Sequence, residues 1–417
     1  MIKKKVYFKT FGCRTNQFDT QIMMSQLRDF DITLEEDNSN LIIVNSCTVT
    51  NRADSSVRGY INSINRKYPD KKVILAGCGS HSKGESLFES KKVFGVIGHS
   101  EKEKINQILK QDSRFYQIGD LEHIDSTIVE EFIGKSRAFI KIQEGCNFRC
   151  SYCIIPSVRG NARSQKEDII LSQIQKLASN GFGEFILTGT NVGSYGRDLN
   201  SSMAKLLKRM SRIRGVRRIR IGSLEPIQIN DEFKELLTEP WMAKHLHIAL
   251  QHTSDKMLEV MNRRNSYKND RKLFEDIASK GYAIGTDYIV GHPQENRENW
   301  SEAIERVKDL PLTHIHAFSY SKRDGTQSAL MKEQVRGDIA KSRHRELTKI
   351  IRDKNYHFRE EHIDNLEVLI ENSKDGLYQG FDQYFNRIKI QSDEELSNNW
   401  VLLNKLEVKY EGNYSQI

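Results

Sequence analysis

The sequence predicts an α/β chain in three parts: an N-terminal open parallel α/β sheet, a central partial (β/α)6 barrel, and a small C-terminal all-β barrel. Three patterns carry this. Up to about residue 111, short apolar runs alternate with amphipathic stretches, a rhythm of parallel strands and crossover helices. From Ala138 the rhythm returns in six longer units. Beyond about Glu360 it gives way to short alternating strands broken by glycines, as in small barrels of the OB-like kind. The expected boundaries are 1–115, 133–359 and 360–417, with a mixed connector over 112–135.

In the first part, Val6-Tyr7-Phe8 leads to Gly12-Cys13, Leu41-Ile42-Ile43-Val44 to Ser46-Cys47, and Val73-Ile74-Leu75-Ala76 to Gly77-Cys78. Helices are expected over 17–29 and 51–67. Each cysteine thus follows the C-terminal end of a strand, the edge along which open parallel sheets gather ligands. The central strands begin near Ala138, Glu184, Arg217, His245, Ala283 and His314. Amphipathic stretches near 166–180, 200–212, 230–238, 268–280 and 296–309 follow, and a charged helix over roughly 336–362 closes the unit. Six units fall short of a closed eightfold barrel, and function is expected at the strands' C-terminal ends. In the last part, strands are expected over 366–370, 386–390 and 400–410, with Gly376, Gly380 and Gly412 as breakers.

The 417 residues leave room for two to four domains of ~100–200 residues each. With 37% hydrophobic and 29% charged residues, the chain is neither a disordered polymer nor a membrane protein. No apolar run approaches the ~18 residues of a membrane span. The basic start, Met1 to Val6, lacks the apolar stretch of a signal peptide, so a cytoplasmic location without a membrane partner is expected. The net charge is +8, and a pI near 9.0 is compatible with a polyanionic partner. It is unevenly spread. Residues 360–417 hold 5 Lys+Arg and 12 Asp+Glu, a balance of −7, which leaves +15 for residues 1–359.

Six cysteines in so long a chain, with no secretion signal, do not make a disulfide framework. Cys146, Cys150 and Cys153 form a C-x3-C-x2-C array on the loop after the first barrel strand. Three thiolates on one short loop can face a single metal centre. Zinc would want a fourth Cys or His nearby. A four-iron cube held by three cysteines keeps one iron open, which can chelate the amino and carboxylate groups of S-adenosylmethionine. The loop offers little core for three merely packed thiols, so the cluster stands ahead of zinc.

This array at the end of the first strand of a six-unit barrel resembles the radical S-adenosylmethionine superfamily. Tyr152 sits where that superfamily places an aromatic residue near adenine. Leu187-Thr188-Gly189-Thr190-Asn191, Gly222-Ser223-Leu224-Glu225-Pro226, His247-Ile248-Ala249-Leu250-Gln251 and Met261-Asn262-Arg263-Arg264 resemble the methylthiotransferase branch. The resemblance implies that Thr188, Gly189, Ser223, Glu225 and Arg263, with Tyr152, contact S-adenosylmethionine. It also covers the N-terminal Cys13-Arg14-Thr15-Asn16-Gln17, Asn45-Ser46-Cys47-Thr48 and Ala76-Gly77-Cys78 segments, which implies a second [4Fe–4S] cluster on Cys13, Cys47 and Cys78. Asn16 and Asn45 are expected around that site or in its turns. The C-terminal part resembles the tRNA-binding barrel called TRAM, with Phe381, Tyr384 and Phe385 as stacking candidates.

Gly291-His292-Pro293-Gln294-Glu295 departs from the branch's Gly-Phe-Pro-Gly-Glu. Ser319 replaces a proline, and Arg323-Asp324-Gly325-Thr326 replaces Arg-Pro-Gly-Thr. The acidic barrel is a further departure, and it argues against a simple grip on phosphate. Three subgroups share the framework: they modify threonylcarbamoyladenosine or isopentenyladenosine at tRNA position 37, or an aspartate of ribosomal protein S12. C-R-T-N-Q at residues 13–17 and R-G-x-x-R-S at residues 159–164 resemble the threonylcarbamoyl group. Arg159 and Arg163 are expected to meet RNA phosphate or the substrate carboxylate. The implied chemistry uses one S-adenosylmethionine as methyl donor and a second as the source of a 5′-deoxyadenosyl radical that opens the adenine C2–H bond. The implied partners are a tRNA anticodon loop, S-adenosylmethionine and an electron donor such as flavodoxin or ferredoxin.

Overall fold

The computed structural model describes residues 3–374 and 376–417; Met1 and Ile2 of the basic start, and Asp375, lie outside the described residues. The first sheet is parallel throughout and has six strands in the spatial order Phe30–Ile32, Lys4–Thr10, Leu41–Ser46, Lys72–Gly77, Gly95–Ile97 and Phe115–Gln117. Leu41–Ser46 is buried along its whole length, as a central parallel strand covered on both faces must be. The order reverses between Lys4–Thr10 and Leu41–Ser46, the switch point at which such sheets hold ligands.

Six parallel strands follow: Ala138–Glu144, Glu184–Gly189, Arg218–Ile221, His245–His247, Ala283–Val290 and His314–Ser319. Isolated bridges, Ile219 to Met242 and Leu224 to Ile248, join the third strand to the fourth. The short strand Arg163–Ser164 runs antiparallel along the first, and helix Gly337–Glu361 packs against the last. The result is the open, partial barrel expected. Among the described residues no helix is long and apolar enough to cross a membrane.

The C-terminal part is a curled, open sheet ordered Trp400–Leu403, Leu366–Lys374, Leu377–Phe381, Arg387–Gln391, Gly412–Gln416 and Glu407–Lys409. It is antiparallel except where Arg387–Gln391 meets Gly412–Gln416. Two of its strands escaped the sequence reading because Gly380 and Gly412 read as breakers. Gly380 lies within a strand because a Cβ there would collide with the Leu369 carbonyl of the paired strand.

Charge fastens the parts together. Arg137 pairs with Glu371 at 2.5 Å, Arg217 with Glu367 at 2.5 Å, and Arg218 donates to the Glu367 carbonyl at 2.7 Å. The half-barrel thus applies part of its acidity to a basic barrel strand. The first sheet is joined through six buried charges, none more than 5% exposed: Asp19, Asp125 and Glu144 against Lys102, Lys141 and Arg159. Asp125 belongs to the stretch expected as a loose connector. Val129 and Phe132 of that stretch are buried in the barrel core.

Candidate active site

The dispersed cysteines stand along the C-terminal edge of the first sheet. Cys13 stands at the N-cap position of helix Arg14–Gln26, and Cys78 opens helix Cys78–Glu89. Gly12, at φ +97°, lies against Cys47: a Cβ there would stand 2.6 Å from the Cys47 Cβ and 2.9 Å from its Sγ. Asn16 donates to the carbonyls of Phe11 and Ser46, both at 2.9 Å, and Asn45 donates to the Asn16 carbonyl at 2.7 Å. Burial pushes the Cys47 and Cys78 thiols up, Cys78 to about 12. Thiols so placed ionise when a metal takes up their charge.

Arg159 braces this set from behind. It is 2% exposed, and its Nε donates to Cys78 Sγ at 3.1 Å. The rest of the guanidinium meets Asn16 Oδ1 at 2.5 Å, Asp19 at 3.0 Å, and Glu144. The expectation that Arg159 meets RNA or a substrate carboxylate is therefore corrected: no face of it is free. Arg163 also turns inward, donating to the carbonyls of His123, Arg159 and Asn161 at 2.8, 2.9 and 3.0 Å. A surface arginine and a buried brace look alike in a linear motif.

The crowded cysteines follow strand Ala138–Glu144 on their loop. Cys146 Sγ accepts from the Phe148 N–H at 3.4 Å and from Asn191 Nδ2 at 3.6 Å. Burial pushes Cys153 up to about 12, with Cys150 and Cys146 adding to the rise. Each set supplies three thiols, the donor number that leaves one iron of a four-iron cube open. His292, where the branch carries phenylalanine, is buried and bonds Ser328 at 2.8 Å, which donates to Ser151 of the cysteine loop at 2.8 Å.

Glu225 and Arg263 form a two-pronged pair at 2.8 and 2.5 Å, and Arg263 Nη1 lies 3.8 Å from Cys150 Sγ. Tyr152 packs against Met257, Met261 and Ile289 and lines a cavity of about 260 Å³ with Cys153. A second cavity, about 630 Å³, is lined by Thr188, Gly189 and Ser223 together with Cys13 and Cys47. The two share Val49, Thr50, Asp287 and Phe318 as a common wall. Thus Tyr152, Glu225 and Arg263 gather at the crowded set. Thr188, Gly189 and Ser223 stand at the border with the dispersed one.

The sequence reading missed the wall of the larger cavity. His245, His247, His314 and His316 line it together with Asp287. Asp287 lies 3.0 Å from His247 and 3.5 Å from His316. Burial pushes its carboxyl up, yet the two imidazoles hold it well below the usual carboxylate range. Burial drives His245 and His314 down, His314 to about 3, so both are neutral near pH 7. The signal was legible: His-x-His at two strands puts each pair on one face. Of the three stacking candidates, Phe385 alone lines this cavity; Phe381 stacks beneath it and Tyr384 packs on Phe358 and His362.

Residues 5–98 match the Uncharacterized protein family UPF0004, and residues 140–307 match the Radical SAM superfamily. A "Putative methylthiotransferase" of Helicobacter pylori is 54% identical over 417 residues, 99% of each chain. The chain belongs to the radical S-adenosylmethionine methylthiotransferases. Methylthiotransferases of this family carry two [4Fe–4S] clusters and use S-adenosylmethionine. The Threonylcarbamoyladenosine tRNA methylthiotransferase MtaB of Bacillus subtilis is 31% identical, over 99% of this chain and 96% of its own. The tRNA-2-methylthio-N(6)-dimethylallyladenosine synthase of Clostridium botulinum is 32% identical, over 83% and 81%. The solved structure of the radical S-adenosylmethionine methyltransferase TsrM from Kitasatospora setae shares the fold, with a TM-score of 0.61, 14% identity and 79% and 77% coverage.

Proposed function

We propose that this methylthiotransferase adds a methylthio group to C2 of N6-threonylcarbamoyladenosine at position 37 of tRNA. The observation that carries the reading is the common wall of the two cavities, since sulfur and radical have to meet at one carbon and each cysteine set borders one of the two spaces. The C-R-T-N-Q and R-G-x-x-R-S segments and the relatives named MtaB support the threonylcarbamoyl substrate. Cys146, Cys150 and Cys153 would hold one [4Fe–4S] cluster, and Cys13, Cys47 and Cys78 the other. When bound, the clusters and S-adenosylmethionine supply the radical, sulfur and methyl group for an unactivated C–H bond.

The chain's own residues orient and shield. Arg263 fixes the Glu225 carboxylate by two hydrogen bonds beside Cys150, where it would accept from the polar groups of S-adenosylmethionine. Tyr152 closes the apolar side of that space with Ile289, while Thr188, Gly189 and Ser223 line the adjoining cavity that Cys13 and Cys47 border. The +15 charge of residues 1–359 draws the polyanionic tRNA, and an electron donor such as flavodoxin or ferredoxin works from outside.

Nucleoside mass spectrometry of tRNA from cells with and without the gene tests the reading. Loss of 2-methylthio-threonylcarbamoyladenosine is expected, with the isopentenyl product intact. Loss of the isopentenyl product alone would favour the dimethylallyl relatives. Unchanged tRNA with an unmodified S12 aspartate would favour a protein substrate. Pairing of Glu367 and Glu371 to barrel arginines already weakens that last case, because it takes up part of the acidity that would attract a basic tail.

A further inference from the structure

One arginine on the wall of the larger cavity makes no direct ion pair among the described residues, although Asp287 lines the same space. The arginines around it are matched: Arg137 with Glu371, and Arg220 of the same wall with Glu184. Arg14 lines the same space with Cys13 and Cys47, yet among the described residues its guanidinium has no hydrogen-bond or ion-pair partner. It lies over the ring of Phe385, 5.4 Å from the centroid. A partly buried guanidinium that Asp287 and Glu184 reach only at a distance keeps its N–H donors open to an incoming anion.

We propose that Arg14 is the residue that reads the carboxylate on the N6 substituent of the substrate adenine. The proposal rests on the threonylcarbamoyl reading above. A planar guanidinium matches a carboxylate with two parallel hydrogen bonds, which gives geometry as well as charge. The position also fits. C2 lies in the ring whose C6 carries the exocyclic N6, so the substituent is held within a few bonds of the reacting carbon, and Arg14 follows Cys13 directly. A dimethylallyl group would leave Arg14 buried without a partner, so the same residue discriminates against the neutral substrate.

Phe385 positions Arg14. Its φ of +68° is a strained value for an aromatic residue. The turn that imposes it is tied by Asp382, whose Oδ1 accepts from the N–H groups of Tyr384 and Asn386 at 3.0 and 2.7 Å. The ring is stacked between His245, at 5.1 Å, and Phe381, at 4.9 Å. The half-barrel thereby projects one fixed aromatic side chain under the Arg14 head, which gives this module a part in substrate selection apart from any grip on the RNA backbone.

The test uses the reconstituted full-length protein and four anticodon stem-loop RNAs. At position 37 they carry threonylcarbamoyladenosine, its threoninol analogue with an alcohol in place of the carboxylate, isopentenyladenosine, and plain adenosine. Equilibrium binding and turnover are measured for wild type, Arg14→Gln and Arg14→Lys. Wild type should bind the acid about 10- to 100-fold more tightly than the alcohol, the range of a charged hydrogen-bonded pair. Arg14→Gln should bind both at the level of the alcohol, and Arg14→Lys should recover part of the preference. Plain RNA should bind wild type and Arg14→Gln alike, which reports an intact fold. If Arg14→Gln keeps the preference, or if wild type methylthiolates the threonylcarbamoyl RNA without preferring acid over alcohol, the proposal falls and the proposed substrate stands. Equal loss of all four RNAs in Arg14→Gln would make Arg14 a general binding or folding residue and overturn the proposal. Conversion of isopentenyl RNA in place of the threonylcarbamoyl RNA would overturn both.

Discussion

Arg159 meets Cys78, Asn16, Asp19 and Glu144 while 2% exposed, so one guanidinium serves a ligand set and a charge network at once. Removing it would leave two buried carboxylates short of a cation. Breaking a buried pair costs about 3–5 kcal/mol, because the remaining charge stays desolvated. Arg159→Leu should therefore lower unfolding stability by about that much in a denaturant titration. A loss below about 1 kcal/mol would mean that Lys102 and Lys141 carry the network without it. At this scale the sequence was legible where spacing is chemistry: three cysteines in eight residues announce a metal centre. It passed over Arg14 and turned Arg159 outward toward substrate, because an arginine's partners are set by the fold: Asp19, which Arg159 meets, comes from the first sheet's helix.

Helix Arg14–Gln26 shows what periodicity can and cannot place. Periodicity places it over 17–29, but it starts at Arg14, because its first, polar turn packs between two sheets. Phe18 and Ile22 enter the barrel core, and Met23 enters the core of the first sheet. A helix buried on both sides loses the one-faced apolar pattern on which such reading depends. Helix Tyr267–Ser279 carries a different cost. Its Asp270 is 2% exposed and accepts from Asn265 at 2.7 Å, and burial pushes the carboxyl up to about 7. The unfolded chain loses that proton near ~3.9. The folded state therefore holds a proton that the unfolded state has lost, and stability falls as pH rises from about 4 through about 7. Asp270→Asn should remove this slope. Melting temperatures at pH 5 and pH 8 should show the variant gaining more on wild type at pH 8 than at pH 5, and an equal difference at both values would refute the assignment.

Over the whole molecule, three architectures were legible because each has its own rhythm, whereas the way they close on one another was not. Six buried charges hold the first sheet to the barrel, and basic residues from 137 to 218 hold the acidic half-barrel. That assembly brings Cys13 and Cys47 onto one cavity and Cys153 onto its neighbour, with Val49, Thr50, Asp287 and Phe318 common to both. The central claim is that the two cysteine sets serve different steps at one carbon, and the most direct measurement compares Cys47→Ala with Cys150→Ala after anaerobic reconstitution. Iron content, 5′-deoxyadenosine and methylthiolated nucleoside are measured on the same samples with S-adenosylmethionine and tRNA. Wild type should load about eight irons and each variant about four. Cys150→Ala should yield no 5′-deoxyadenosine, whereas Cys47→Ala should still cleave S-adenosylmethionine and yield no methylthiolated product. Full product from Cys47→Ala, or eight irons retained in it, would contradict the account and make the dispersed cysteines structural.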